Sequence, residues 1–242
     1  MTDKRVIDQF ISKYHLGGTI ERVKWVSDKE SLKADFINDS QNLVGSVVSK
    51  NFKFPVGEFG IYSTSTLSKM LGILENEVMF EVQKEGGTPA KFKVGDTAMD
   101  LSFNLADPQV IPNVPNINKT EGDIEVELHD EFTTRFVKSR DAVGEEVFYV
   151  STQDGFTSKE VKFTVGNSTS NSVSFALPVE EGSAEAELKE IPFSATIVKE
   201  IFKHNKHFEI GWMKINPKGL ITFAFKFGDL ETNYYLVRNQ NQ

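Results

Sequence analysis

An internal duplication limits the fold of this chain more than any other feature. Three short segments recur in the same order, at spacings that drift from 123 to 133 residues. A single match of this length would be chance, but three in order predict two copies of one domain. A period this long indicates a duplicated domain and not a solenoid of short repeats. The matched pairs are Phe52–Val56 with Phe175–Val179, Ile61–Leu67 with Ile191–Ile197, and Lys93–Asp96 with Lys226–Asp229.

The residue pattern predicts the same order of helices and strands in both halves. Apolar residues with a 3.6-residue period predict two helices in each half. Alternating strands follow the first helix, beginning with Thr19–Val26 in the first half and Glu146–Ser151 in the second. A three-stranded meander follows the second helix, at residues 78–105 and 208–237, and the middle strand of the second meander is Leu220–Phe227. This order predicts an α+β fold with two similar domains, each with two helices packed on an antiparallel sheet. The predicted helices are Thr2–Leu16, Ser63–Leu74, His129–Val143 and Phe193–His207.

A proline-rich segment separates the halves. Residues 104–123 contain Pro108, Pro112 and Pro115, and proline both removes a backbone donor and disfavours regular structure. We therefore predict an N-terminal domain at 1–105, an extended connector at 106–122 and a C-terminal domain at 123–242. The apolar content of the connector leaves two interpretations open: a strap packed on the domain surface, or a docking ledge for a partner.

The composition restricts the chemistry. The chain has no cysteine, which excludes disulfides and thiolate metal sites. No secretory signal and no apolar run of about 18 residues is visible, so we expect an intracellular protein without a membrane span. His204 and His207 could share a metal, but no acidic cluster completes a site, and no phosphate loop or nucleophile motif is present. We predict no catalytic residue, no metal and no cofactor.

Positive charge is concentrated on the predicted helices. They carry ten lysines and arginines against six acidic residues, a balance of +4, although the whole chain carries -8. The remainder therefore carries -12. Within the fourth helix, Lys199, Lys203 and Lys206 follow a helical row, where like charges repel by a few tenths of a kcal/mol per pair. A polyanionic partner would explain this segregation. The ten basic residues are Lys4, Arg5, Lys13, Lys69, Arg135, Lys138, Arg140, Lys199, Lys203 and Lys206.

Four segments carry a family resemblance: Phe59–Tyr62, Leu67–Leu74, Leu105–Pro108 at the start of the connector, and Asn233–Arg238 in the closing strand. They resemble the DNA polymerase sliding clamps, the processivity factors of replication. The resemblance spans nearly the whole chain and is closest to the T-even bacteriophage type. Proliferating cell nuclear antigen is similar in architecture.

The resemblance implies a ring. Such clamps have two domains per subunit, and three subunits close around duplex DNA, with the helices lining the hole. It therefore implies a homotrimer in which the ten basic residues face DNA without reading its sequence. It also implies a host-cytoplasmic location if the chain is phage-encoded, and a link to late transcription.

The same resemblance implies that short peptide tails of the DNA polymerase and of the clamp loader dock in a hydrophobic pocket beside the connector and the C-terminal domain. The candidate contacts are Val110, Ile111, Pro112, Val114, Pro115, Tyr234, Tyr235 and Leu236.

A β-rich structural protein of a virion, such as a tail or capsid component, is the main alternative. The segment 166–174, rich in Thr, Ser and Asn, would suit it. An uncharacterised enzyme is a weaker alternative because no catalytic constellation is visible.

Overall fold

The computed structural model describes residues 2–75, 77–115, 123–156, 158–167, 169, 171–184 and 186–239. The chain forms two compact units. The first comprises residues 1–115 with 228–232, and the second comprises 116–227 with 233–242. The division between them falls inside the predicted connector, so that residues 106–115 group with the first unit.

The first unit contains two helices and two antiparallel sheets. The elements are β1 (Thr2–Asp3), α1 (Lys4–His15), β2 (Val23–Ser27), β3 (Ser31–Ile37), β4 (Leu43–Lys50), β5 (Gly57–Ile61), α2 (Thr64–Leu71), β6 (Glu77–Glu85), β7 (Thr88–Gly95) and β8 (Asp100–Asn104). One sheet has the strand order β5-β2-β3-β4 and the other β1-β6-β7-β8.

The second unit repeats this order. The elements are β9 (Ile124–Glu127), α3 (Asp130–Val143), β10 (Val147–Asp154), β11 (Lys159–Val165), β12 (Val173–Pro178), β13 (Ile191–Ser194), α4 (Ala195–His204), β14 (Ile210–Asn216), β15 (Leu220–Phe227) and β16 (Leu230–Val237), whose residues 230–232 group with the first unit. The strand orders are β13-β10-β11-β12 and β9-β14-β15-β16. As in the first unit, four strands follow the first helix and three follow the second. The predicted α+β class with two similar halves is confirmed.

The repeat has a slightly different register from the one predicted. Ser63 and Ser194 are the N-caps of α2 and α4, which sets their spacing at 131 residues, whereas the predicted match of Ile61 with Ile191 gives 130. Residues 52–56 form a loop after β4, but residues 175–178 belong to β12. A short match between apolar residues therefore locates the repeat but does not fix its exact spacing.

The predicted end of the fourth helix is wrong by three residues. Helix α4 ends at His204, so Lys206 lies beyond it. Asn205 is fully buried, and its side-chain amide donates to the carbonyl of Ile201 and to the hydroxyl of Tyr234, both at 2.8 Å. This amide satisfies a carbonyl that a helix end leaves without a partner, and thereby caps the helix. The predicted row of three lysines is reduced to Lys199 and Lys203.

Aromatic clusters form the two cores. In the first unit Trp25 packs edge-on against Phe10 and Phe54. In the second unit Phe202 packs edge-on against Phe136 and Phe223. Full burial of such a side chain contributes roughly 1.5–3 kcal/mol, so these clusters fix the helices on the sheets. The apolar faces of the helices are buried in the two cores, and their polar faces are left for other roles.

Candidate nucleic-acid interface

The observed helix limits preserve the predicted charge separation. Within α1 to α4 there are nine lysines and arginines and five acidic residues, a balance of +4. Lys206 and Asp3 both lie outside the observed helices, and because one is positive and the other negative, the helix balance stays the same. With -8 on the whole chain, the residues outside the helices carry -12.

In the first unit, three of the four predicted cations are on the surface or at its margin. The ammonium of Lys4 lies 2.6 Å from the carboxylate of Asp8, one turn along α1. Arg5 contacts Asp3 at 2.9 Å, and the side chain of Asp3 also caps α1. Lys69 is exposed in the last turn of α2, where a cation is favoured by the helix dipole.

Lys13 is buried, contrary to its predicted place on a DNA-facing surface. Only 7 % of the residue is exposed, and burial lowers the pKa of its ammonium from 10.5 to about 8. Desolvation disfavours the charged form and thus explains the direction of this change. A buried ammonium does not contact a phosphate, so we withdraw Lys13 from the predicted DNA contacts.

In the second unit, four cations of α3 and α4 contact acidic or hydroxyl partners: Arg135, Arg140, Lys199 and Lys203. Arg135 pairs with Glu131 at 2.5 Å within α3. Lys203 lies 3.4 Å from Glu200 within α4. Lys138 and Lys206 are exposed.

Besides the aromatic packing of Phe202 on Phe136, two polar contacts join α3 to α4. The Lys199 ammonium lies 2.5 Å from the carboxylate of Asp141, and Arg140 donates to the hydroxyl of Thr196 at 3.2 Å. Lys199 holds the pKa of Asp141 below its ordinary value.

These pairs suit transient contact with a polyanion. Exposed ion pairs contribute about 0–1 kcal/mol, so a phosphate can replace the internal carboxylate at little cost. Contacts of lysine ammonium groups with phosphates position a protein on a duplex but carry no sequence information. The surface of each helix pair is therefore suited to hold a nucleic-acid backbone loosely.

A polar cluster that we did not predict joins the two helices of the first unit. The carboxylate of Glu21 accepts from the backbone N–H of Ser65 at 2.9 Å and from its hydroxyl, and thereby caps α2 in place of Ser63. The Nε2 atom of His15 lies 3.1 Å from both groups. Burial raises the pKa of Glu21, but these hydrogen bonds outweigh burial and lower it overall.

This Ser, His and Glu arrangement is not a catalytic triad. A triad requires the two ring nitrogens of histidine to contact the two partners separately, whereas here one nitrogen contacts both. His15 and Ser65 are 50 positions apart in the chain, and no motif indicates the cluster.

The predicted docking residues are divided between surface and core. Tyr234 and Leu236 are fully buried in the second unit, and Ile111 is 6 % exposed in the first. A partner cannot reach these three side chains without repacking, so we withdraw them as contacts. Val110 is 61 % exposed, Pro115 is also exposed, and Pro112, Val114 and Tyr235 are half-buried.

A cleft of about 240 Å³ lies between the turn after β3 and the connector of the first unit. Pro112 and Pro115 line one side of it. Arg22 and Asp39, which form an ion pair at 2.6 Å, line another. Its lining is more polar than the hydrophobic pocket we expected.

Comparison with solved structures identifies the architecture. The chain superimposes on proliferating cellular nuclear antigen from Entamoeba histolytica with a TM-score of 0.75 and 15 % identity, covering 98 % of this chain and 96 % of that one. It superimposes equally well, at 13 % identity, on the A. fulgidus protein solved with the C-terminal region of FEN-1 bound, covering 100 % and 98 %. The chain has the fold of a sliding clamp. Neither a family model nor a curated protein matches the sequence.

Two further observations concern membrane spans and metal sites. Within the described residues, no helix is long and apolar enough to cross a membrane. The same part of the chain contains no group of three or more histidine or acidic side chains placed to hold a metal ion.

Proposed function

We propose that this chain is a replication sliding clamp that assembles into a closed homotrimeric ring around duplex DNA and tethers a DNA polymerase. One observation carries the proposal: a clamp fold whose four helices hold a balance of +4 while the rest of the chain holds -12. Duplex DNA carries one negative charge per roughly 1.7 Å of its axis, so a helix-lined hole attracts it while acidic outer surfaces repel it. The proposed contacts are Lys4, Arg5, Lys69, Arg135, Lys138, Arg140, Lys199, Lys203 and Lys206.

Two open sheet edges support assembly by strand addition. Strand β8 ends the sheet β1-β6-β7-β8, and β12 ends the sheet β12-β11-β10-β13. Strand β12 has no charged residue; Val173 on it is exposed, and Phe175 and Leu177 are half-buried. Natural proteins protect such an edge with charge or cover it, because its free backbone groups pair readily with another chain.

These edges belong to different units, so pairing β8 of one copy with β12 of the next gives a head-to-tail contact. Such a contact closes into a ring when the rotation between copies allows it, and otherwise extends into a filament.

Light scattering after size exclusion tests the ring. We expect a mass of three chains of 27.2 kDa each. Replacing Ala176 by Asp adds a negative charge to β12 opposite Lys162. The isolated chain tolerates this charge because the lysine is beside it, but a strand of a second copy that pairs with β12 would bury it. The mass should fall to one chain. The control Gln83→Asp likewise places an aspartate opposite a lysine, Lys91, but on strand β6, which takes no part in the proposed contact, and it should leave the mass unchanged. A wild-type monomer would contradict the ring.

The cleft beside the connector is the proposed site for the peptide tails of the polymerase and the clamp loader. Its position next to Pro112, and the exposure of Val110 nearby in the sequence, support a docking ledge over a simple strap. Stimulation of a polymerase on primed DNA tests this role, and Arg22→Ala should reduce it without changing the ring. We extend the proposal to phage replication and its coupling to late transcription, which depend only on the sequence resemblance.

A structural virion protein is the second candidate, because open strand edges also permit unlimited assembly. A filament or sheet in place of a discrete trimer would favour it.

A further inference from the structure

One acidic residue lies among the proposed DNA contacts of the second unit. The Asp141 carboxylate contacts the Lys199 ammonium at 2.5 Å, and its side chain is about half exposed. Lys199, by its hydrogen bond and its charge, lowers the pKa of Asp141, and the nearby charges of Arg140 and Lys203 lower it further. An anionic group is thus already placed where three cations converge.

The position of this carboxylate is unfavourable within its own helix. Asp141 lies in the last turn of α3, where the helix dipole favours cations. Moreover, among the ion pairs of the described residues, Lys199 with Asp141 is the pair that joins two helices, whereas the pairs formed by Lys4, Arg5, Arg135 and Lys203 lie within one helix or at its cap. Local helix stability does not explain the residue, and its role lies with the cations around it.

We propose that Asp141 is a built-in substitute for a DNA phosphate, which keeps Lys199 engaged and so keeps the grip of the α3–α4 surface on DNA weak. A carboxylate and a phosphate oxygen accept the same charge-assisted hydrogen bond from an ammonium. As DNA moves, the ammonium exchanges between the two acceptors and is never left without a partner. Asp141 acts through Lys199 and is a positioning residue. This inference rests on the proposed function, because it requires the helices to face DNA.

Fluorescence anisotropy with a labelled duplex of about 30 base pairs at several salt concentrations tests the proposal. Asp141→Asn releases one ammonium per subunit, and each added phosphate contact steepens the dependence of log affinity on log salt by about 0.9. For one added phosphate contact per bound duplex, the gain falls about 3.5-fold between about 50 mM and about 200 mM salt, so we expect roughly tenfold tighter binding at the lower concentration and roughly threefold at the higher. Asp141→Ser should give the same result if the asparagine variant folds poorly.

Two controls separate this mechanism from a change in net charge. Glu187→Gln removes one negative charge from an exposed pair with Lys189 outside the helices, and should leave binding within about twofold of wild type. Adding Lys199→Met to Asp141→Asn should abolish the gain.

The outcomes are distinguishable. If wild type binds the duplex and Asp141→Asn binds no tighter, or if the gain survives the loss of Lys199, the inference is overturned and the proposed function stands. If trimeric wild type shows no salt-dependent binding, the proposed function fails, and this inference fails with it.

Discussion

The Lys13→Met variant removes a charge that the fold buries while it keeps an unbranched side chain of similar length. Burial lowers the pKa of Lys13 from 10.5 to about 8. A pKa difference of one between the folded and unfolded chain corresponds to about 1.36 kcal/mol, so burying the ammonium costs up to about 3 kcal/mol at neutral pH. Methionine avoids this cost, and the variant should be about 2–3 kcal/mol more stable than wild type near neutral pH.

The stability difference between the variant and wild type should depend on pH, because the pKa of Lys13 is lower in the folded chain than in the unfolded chain. Because the folded-state pKa of Lys13 is below its unfolded value, the unfolded chain binds more protons between pH 8 and pH 10.5. The stability of wild type therefore rises relative to the variant across this window, and the cost is fully present below it. The advantage of the variant should shrink above neutral pH and nearly vanish at pH 10.5.

Urea unfolding at equal protein concentration and at both pH values measures the difference. A variant that is less stable than wild type at neutral pH, or an advantage that is the same at both pH values, would show that burial of the charge is not what limits stability. DNA affinity should not change, because a buried ammonium does not contact phosphate.

Substitutions at the helix surface, the polar cluster and the connector give three more predictions. Lys69→Gln and Lys138→Gln should each weaken duplex binding and reduce its salt slope by about 0.9 per lost phosphate contact, with unchanged melting, because both side chains are exposed. Glu21→Gln should destabilise the fold by about 1 kcal/mol at neutral pH, with the difference lost in acid as pH falls through the lowered pKa of Glu21; urea titrations at neutral pH and at about pH 3 check both parts. Gly60→Ala should cost about 1–3 kcal/mol in urea unfolding, since a Cβ there would lie 2.5 Å from the carbonyl oxygen of Ala106, and should expose the connector to limited proteolysis.

Much of the fold was predictable from sequence because its periodicities are local. The alternation in residues 220–227 reproduces β15 residue for residue, and the meander after each second helix is present. Strands β3 and β4 were not delimited, and β2 begins at Val23 instead of Thr19. The ends of these strands depend on contacts with residues distant in the sequence, such as the hydrogen bond from Ser65 of α2 to Glu21. Local sequence patterns contain no information about such contacts.

The candidate interface was predictable in composition but not in detail. The net charge of the helices follows from counting their charged residues, and it is +4 with the observed helix ends as with the predicted ones. Lys13 lies about 60° from Phe10 around a helix of about 3.6 residues per turn, at the margin of the apolar stripe, and only the packing of α1 decides that it is buried. The pair of Lys199 with Asp141 spans 58 positions and depends on how α3 packs on α4, which no spacing rule predicts.

Topological retention on DNA is the most direct test of a clamp. A linear duplex is attached to a bead at one end, the chain is allowed to thread from the free end, and that end is then blocked by a bulky protein. After a wash in high salt, the ring should remain on blocked DNA and should leave when a restriction enzyme reopens the end. Equal loss from blocked and open DNA would contradict the clamp, because it would mean that charge alone holds the protein to DNA.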